Sequence, residues 1–323
     1  MCTAFSFSAD DHYFGRNLDL DHHYNEEVVI TPRNYLYSFR HASKKVAQYA
    51  MIGIATVIDN YPLYYEAINE KGLCVAGLNF PGNAVYHNEK IHEQNIASFE
   101  LIPWILSQCK STGEAKALLE KTNICNTSFR NDLPTTPLHW IVSDQDHSIG
   151  IEPMQYGLAI MENPSNVLTN SPPLPYHLYN LNNYLNLTAE PPNNRFSTKL
   201  NLAPYSLGMG AIGLPGDASS SSRFIRCVFH KENMRRENTT EFNISQVFHL
   251  LDSVAQYDGC VKTSIGFEKT RYSICCNATK GIFYYTTYEN RQISAIDLWR
   301  EDLNGSELIR YPLLTSQKIL YQN

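Results

Sequence analysis

No stretch of this 323-residue chain approaches the roughly 18 consecutive apolar residues that a membrane-spanning helix needs. No charged opening followed by an apolar segment precedes Cys2, so no secretory leader is expected and the mature protein is expected in the cytoplasm. A basic excess is missing too. With 26 Lys and Arg against 32 Asp and Glu, the formal charge is -6, which argues against a nucleic-acid partner. The eight cysteines, Cys2, Cys74, Cys109, Cys125, Cys227, Cys260, Cys275 and Cys276, form no Cys-x-x-Cys pair and no Cys/His cluster at zinc spacing. They read as reduced thiols that mostly fill a core, with Cys275 and Cys276 on opposite faces of a strand. The eleven histidines give no HExxH, which removes support for a zinc site or a histidine-based triad. The glycine-rich run from Gly208 to Asp217 lacks the Lys-Ser/Thr ending and the preceding strand of a phosphate loop. What is present, 43% apolar and 12% aromatic residues, is the composition of a globular protein.

The informative stretch is the first one. Residues Thr3 to Ser8 alternate as a strand does, with Phe5 and Phe7 on one face, and a turn through Asp10, Asp11 and His12 returns the chain alongside. That hairpin brings Arg16 and Asp19 near the start. Removal of Met1 would leave Cys2 carrying an Sγ and a free α-amine on one residue. The ordinary values, about 8.5 for a thiol and roughly 7.7 to 8.0 for an α-amine, permit proton exchange between the two near neutral pH. A fixed guanidinium such as that of Arg16 favours the thiolate. Asp19 can hold the ammonium, while also raising its pKa. The competing reading makes Cys2 an incidental small apolar residue behind a frayed terminus.

Farther along, short β-rich runs are predicted at Val28 to Thr31, Met51 to Val57, Leu63 to Ala67 and Gly72 to Leu78, with an unusually aromatic loop from Asp59 to Tyr65. Helices follow. One carries Phe99, Ile102, Ile105, Leu106 and Cys109, and the next starts at Thr112 as N-cap. A second set of strands occupies Leu138 to Ser143, Ser148 to Glu152, Gly157 to Met161 and Val167 to Thr169. Asn79 and Asn170 each end a strand, where an Asn is ordinarily a turn residue. Ser219 to Ser222 precede a helix with Arg223 in its first turn, an unfavourable place for a cation that calls for an anionic partner. A further helix is predicted over Ser245 to Tyr257, then strands at Thr270 to Asn277, Gly281 to Thr287 and Gln292 to Leu298. Strands, helices, strands, helices and strands suit sheets packed against each other with helices outside, an α+β arrangement.

The MCTA opening, FGRNLDLD, the Asn79 and Asn170 segments, GLPGD with SSRFIR, and FYYTTYEN resemble the choloylglycine hydrolases. This family of bile salt hydrolases and penicillin V acylases belongs to the N-terminal-nucleophile hydrolases. The resemblance covers essentially the whole chain. It implies one domain over residues 2–323 with a four-layer αββα sandwich of two antiparallel sheets between helical layers. Residues 172–208 would be an extension through which members assemble as homotetramers, or a packed excursion on a monomer.

By the same resemblance, Cys2 is the nucleophile and Asn79 (backbone N–H) and Asn170 (side-chain NH2) hold the oxyanion. Arg16 and Arg223 support the thiolate site, and Asp19 positions the amine. Leu18, Ile58, Phe129 and Leu133 match positions lining a bile-salt pocket. The implied reaction is hydrolysis of the amide in glycine- and taurine-conjugated bile acids, with no metal or organic cofactor required and no membrane partner. Asn79 favours bile salts, since the acylases tend to carry Tyr there. Penicillin V hydrolysis and non-catalytic sequestration of bile acids are the alternatives.

Overall fold

The opening hairpin sets the architecture. Strand β1 (Cys2–Ser8) pairs antiparallel with β2 (His12–Leu20), placing Cys2 opposite Leu18 and Ala4 opposite Arg16. Every residue of β2 except Leu20 is buried, so β2 must be covered on both faces. Gly15 shows how tightly: a Cβ there would lie 2.8 Å from the Phe5 ring and 2.9 Å from a Val247 methyl.

The computed structural model describes residues 1–323. After the hairpin come β3 (Glu27–Thr31), β4 (Met51–Ile58), β5 (Tyr61–Asn69) and β6 (Cys74–Asn79), then α1 (Leu101–Leu106) and α2 (Thr112–Leu119). The chain continues through β7 (Leu138–Ser143), β8 (Ser148–Met154), β9 (Gly157–Glu162), β10 (Val167–Leu168), α3 (Leu174–Asn180), α4 (Ser220–Asn233) and α5 (Thr240–Ser253). It closes with β11 (Phe267–Asn277), β12 (Ile282–Thr287), β13 (Ser294–Asp297) and β14 (Ile309–Pro312). One sheet runs β10-β1-β2-β11-β12-β13, with Val261–Lys262 added on β11, and the other runs β9-β8-β7-β6-β5-β4-β3-β14. All their pairings are antiparallel.

Two apolar cores follow from the two-residue period of a strand. Cys74, Ala76 and Leu78 of β6 point at the first sheet and join Phe14 and Leu18, while Leu73 and Val75 join Leu101, Ile105 and Leu119 beneath α1 and α2. On the far side of the first sheet, Val247 and Leu251 of α5 and Phe224 of α4 cover β1, β2 and β11. The layers are therefore helix, sheet, sheet, helix. No helix is long and apolar enough to cross a membrane.

Local differences from expectation have local causes. The aromatic loop is shorter than predicted: Asp59 and Asn60, with φ of 52° and 57°, form the whole turn, and Tyr61 already belongs to β5. The N-cap of α2 is Ser111, whose side chain accepts from the Glu114 N–H, rather than Thr112. Helix α5 begins five residues before its predicted start because its first turn is polar. There Asn243 is buried by donating to the Glu237 carbonyl at 2.6 Å. It ends early because Gln256 pairs with Thr270 of β11 instead. Cys275 and Cys276 are both buried, as befits a strand covered on both faces.

Candidate active site

Cys2 heads β1 with its side chain turned between the sheets, and Arg16, two residues before Leu18 on the paired strand, shares that face. One guanidinium nitrogen of Arg16 lies 3.3 Å from Cys2 Sγ and donates to the Gly77 carbonyl at 2.9 Å. The other terminal nitrogen, Nη1, pairs with Glu66 of β5, which also accepts from the Tyr272 hydroxyl at 3.0 Å. Sequence reasoning missed Glu66 and Tyr272. Neither carries a motif, and they meet Arg16 only because the two sheets stack.

Burial would raise the Cys2 thiol, but Arg16 and then the N-terminal ammonium offset it, and the net direction is below the ordinary value. The Met1 amine is itself lowered, since burial outweighs the neighbouring Cys2 and Asp19. It pairs with the Glu268 carboxylate and donates to the Asp19 carbonyl at 2.9 Å.

Asp19 falls on the opposite face of β2 from Arg16. Its Oδ1 accepts from Thr270 at 2.7 Å, and its buried Oδ2 has no hydrogen-bond partner. Burial raises its carboxyl pKa, with the terminal ammonium and Arg223 only partly opposing this. Where an anionic partner was expected, the direct hydrogen-bond acceptors of Arg223 are neutral oxygens. Its guanidinium donates to Cys2 O at 2.5 Å, Thr3 Oγ1 at 2.6 Å, Asn170 Oδ1 at 2.7 Å and Ala218 O at 3.0 Å. Asp19 acts on it only at longer range. The Ser219 side chain caps α4 and so fixes where Arg223 enters the layer.

Asn79 and Asn170 meet beside Cys2. The Asn170 Oδ1 accepts from Cys2 N at 2.8 Å, and its Nδ2 donates to the Asn79 carbonyl at 2.7 Å, leaving a second Nδ2 proton. On β6, Phe80 N donates to Pro137 O at 2.8 Å, so the neighbouring Asn79–Leu138 pair is a non-bonded one and Asn79 turns its N–H away from β7. N–H and C=O of a strand residue point the same way, so this N–H faces the side on which Asn170 sits.

A cleft of about 740 Å³ opens over Cys2, Arg16 and Asn79. Its walls include all four residues expected to contact substrate: Leu18, Ile58, Phe129 and Leu133. Tyr65 and Leu138 add apolar surface, while Asp21, His22 and Glu268 supply polar positions. Asp19, Asn170 and Arg223 do not line the cleft but reach Cys2 or its surroundings from behind.

This is the layered fold of the N-terminal-nucleophile hydrolases, with a cysteine thiol at the buried start of a central strand. Residues 2–311 match the family described as linear amide C-N hydrolases, choloylglycine hydrolase family, and the chain belongs to that family. It is 49% identical over 314 residues to the bile salt hydrolase/transferase of Lactiplantibacillus plantarum, covering 97% of each chain. Its likeness to the corresponding Clostridium perfringens protein is 36% over 318 residues, 96% of each chain. The crystal structure of the C2A mutant of the conjugated bile acid hydrolase from Clostridium perfringens superposes with a TM-score of 0.91 at 34% identity, over 100% of both chains. A penicillin V acylase from Agrobacterium tumefaciens, at 19% identity, shares the fold with a TM-score of 0.75 over 99% of this chain and 94% of its own.

Proposed function

We propose that this chain, once Met1 is removed, hydrolyses the amide bond of glycine- and taurine-conjugated bile acids through a thioester on Cys2. The observation that carries the reading is the position of Cys2 Sγ beside Arg16 at the floor of an apolar cleft, one within the roughly 300–1,000 Å³ usual for small-molecule sites. The α-amine of Cys2 takes the thiol proton, and the thiolate attacks the amide carbonyl carbon. The developing oxyanion is held by the Asn79 N–H and the free Asn170 Nδ2 proton. The C–N bond breaks as the leaving nitrogen takes a proton from the α-ammonium. Water then attacks the thioester, gives its proton to the α-amine, and the C–S bond breaks to release the bile acid. With Met1 gone, the unpartnered Asp19 Oδ2 is available to hold the ammonium form.

The steroid suits the walls made by Leu18, Ile58, Phe129 and Leu133, and Asn79 rather than Tyr favours bile acids over penicillin V. Assembly as a homotetramer is supported by the excursion after α3, where Phe196, Tyr205 and Leu207 are exposed on a loop closed by Thr188 N to Gly210 O. Eight unpaired thiols favour the cytoplasm.

Intact mass and turnover test this together. The purified protein should begin at Cys2 and release free glycine or taurine from glycocholate or taurocholate faster than it releases phenoxyacetate from penicillin V. Cys2→Ser should fold and lose nearly all turnover. Retention of Met1 on a protein that binds without releasing amine would instead establish the sequestering role, and full activity of Cys2→Ser would remove the thiol mechanism.

A further inference from the structure

Behind Asn170, on the side away from the cleft, two buried histidines grip the backbone that carries it. Nε2 of His139 on β7 lies 2.9 Å from the Thr169 carbonyl, and Nε2 of His177 on α3 lies 3.0 Å from the Asn170 carbonyl. A carbonyl only accepts, so each bond fixes a proton on Nε2. The rings are themselves locked. His139 presents Nδ1 to Glu152 at 3.2 Å and stacks on Phe80, the residue after Asn79, with centroids 4.2 Å apart. His177 stacks on Phe224 at 4.7 Å. One imidazole thus touches both chain segments that end in the candidate oxyanion donors. Burial, reinforced by His139 and Arg223 but opposed by the Asn170 carbonyl and Glu152, lowers the His177 pKa and favours its neutral tautomer, consistent with an Nδ1 that has no partner.

We infer that His139 and His177 are positioning residues for the oxyanion hole, holding the Thr169–Asn170 backbone so that the Asn170 amide meets the reacting oxygen. This rests on the assignment of Asn170 as an oxyanion donor. Neither ring lines the cleft, and neither makes a hydrogen bond to Cys2 or Arg16.

The test exploits reach. Gln places its amide nitrogen where Nε2 sits, whereas Asn, equally polar, stops one methylene short of the carbonyl. For His139→Asn and His177→Asn, kcat for glycocholate should fall about ten- to a hundredfold with KM within about twofold, and each Gln variant should recover to within about threefold of the parent. Alkylation of Cys2 by iodoacetamide, resolved on the N-terminal peptide, should keep its parent rate in all four. Folded Asn variants with parent kcat would overturn the inference. So would Gln variants slowed more than about tenfold, a readout that stands even where the Asn variants do not fold. A parallel fall in alkylation would also overturn it, by showing general damage. A parent protein that releases no glycine, or a Cys2→Ala control that still does, would sink the amidase reading itself rather than this one.

Discussion

Glu66 stands behind Arg16 as its counterion, and both side chains are almost wholly removed from solvent. The pair crosses from one sheet to the other, and the same guanidinium that meets Glu66 also lies 3.3 Å from Cys2 Sγ. Glu66 therefore moderates the field felt by the thiol as well as neutralising a buried cation.

Replacing Glu66 by Gln keeps an acceptor for Arg16 and Tyr272 but leaves the guanidinium charge uncompensated. The Cys2 thiolate should then form at lower pH than in the parent, seen as a downward shift in the midpoint of the iodoacetamide rate against pH. Breaking a buried pair typically costs about 3–5 kcal/mol, so the urea midpoint should fall as well. An unchanged alkylation midpoint would mean that Glu66 does not modulate the site.

The two candidate oxyanion donors should respond differently to truncation. Asn170→Ala removes the side-chain amide and should lower kcat by about 10²- to 10³-fold with little change in KM. Asn79→Ala retains its backbone N–H, so kcat should stay within about threefold of the parent. Equal losses in both variants, measured as glycine release from glycocholate, would show that Asn79 contributes through its side chain.

A separate polar cluster far from Cys2 predicts how stability changes in acid. His12 is buried between Ser8 and Ser143, each hydroxyl 3.1 Å from a ring nitrogen. Burial depresses its pKa to about 4 against a weaker raising effect from Asp144. The folded imidazole thus stays neutral where the unfolded one still takes a proton. Between about pH 6.5 and pH 4 the unfolded state binds more protons, and stability falls as pH drops through that window. A fall from the ordinary 6.5 to about 4 corresponds to a loss of about 3 kcal/mol when complete. His12→Gln should lack this component when urea unfolding is measured at both pH values.

The parts of the site readable in the sequence are those that chain geometry alone brings together. Cys2, Arg16 and Asp19 share one hairpin whose alternation and turn residues declare its register, and Ser219 announces the helix that carries Arg223. The alternation also puts Arg16 and Asp19 on opposite faces, so nearness to Cys2 did not mean a shared environment. Glu66, His139, Glu152 and His177 lie on four separate elements, and nothing in their spacing marks them. They become partners only when sheets and helices stack, a long-range event without a local signature. The neutral partners of Arg223 were hidden for the same reason: its acceptors are mostly backbone and amide oxygens contributed by distant segments.

Phe129 offers the test of the cleft wall. Its ring packs against Phe99 and Tyr61 at centroid distances of 5.2 and 5.7 Å, under the Arg40 guanidinium at 5.1 Å. Arg40 also donates to the Phe129 carbonyl at 3.0 Å, so the polar loop holding this ring is tied down from the protein side. A pre-ordered aromatic wall supplies apolar contact to bound substrate and transition state alike, and such uniform binding appears in KM rather than kcat. Phe129→Ala should raise KM for glycocholate roughly tenfold, corresponding to about 1.5 kcal/mol of lost apolar contact, with kcat within about twofold. A glycine conjugate of a short linear acid, too small to reach the loop, should show no change in KM. If the short conjugate is affected as strongly as glycocholate, Phe129 acts by holding the site together rather than by contacting the steroid.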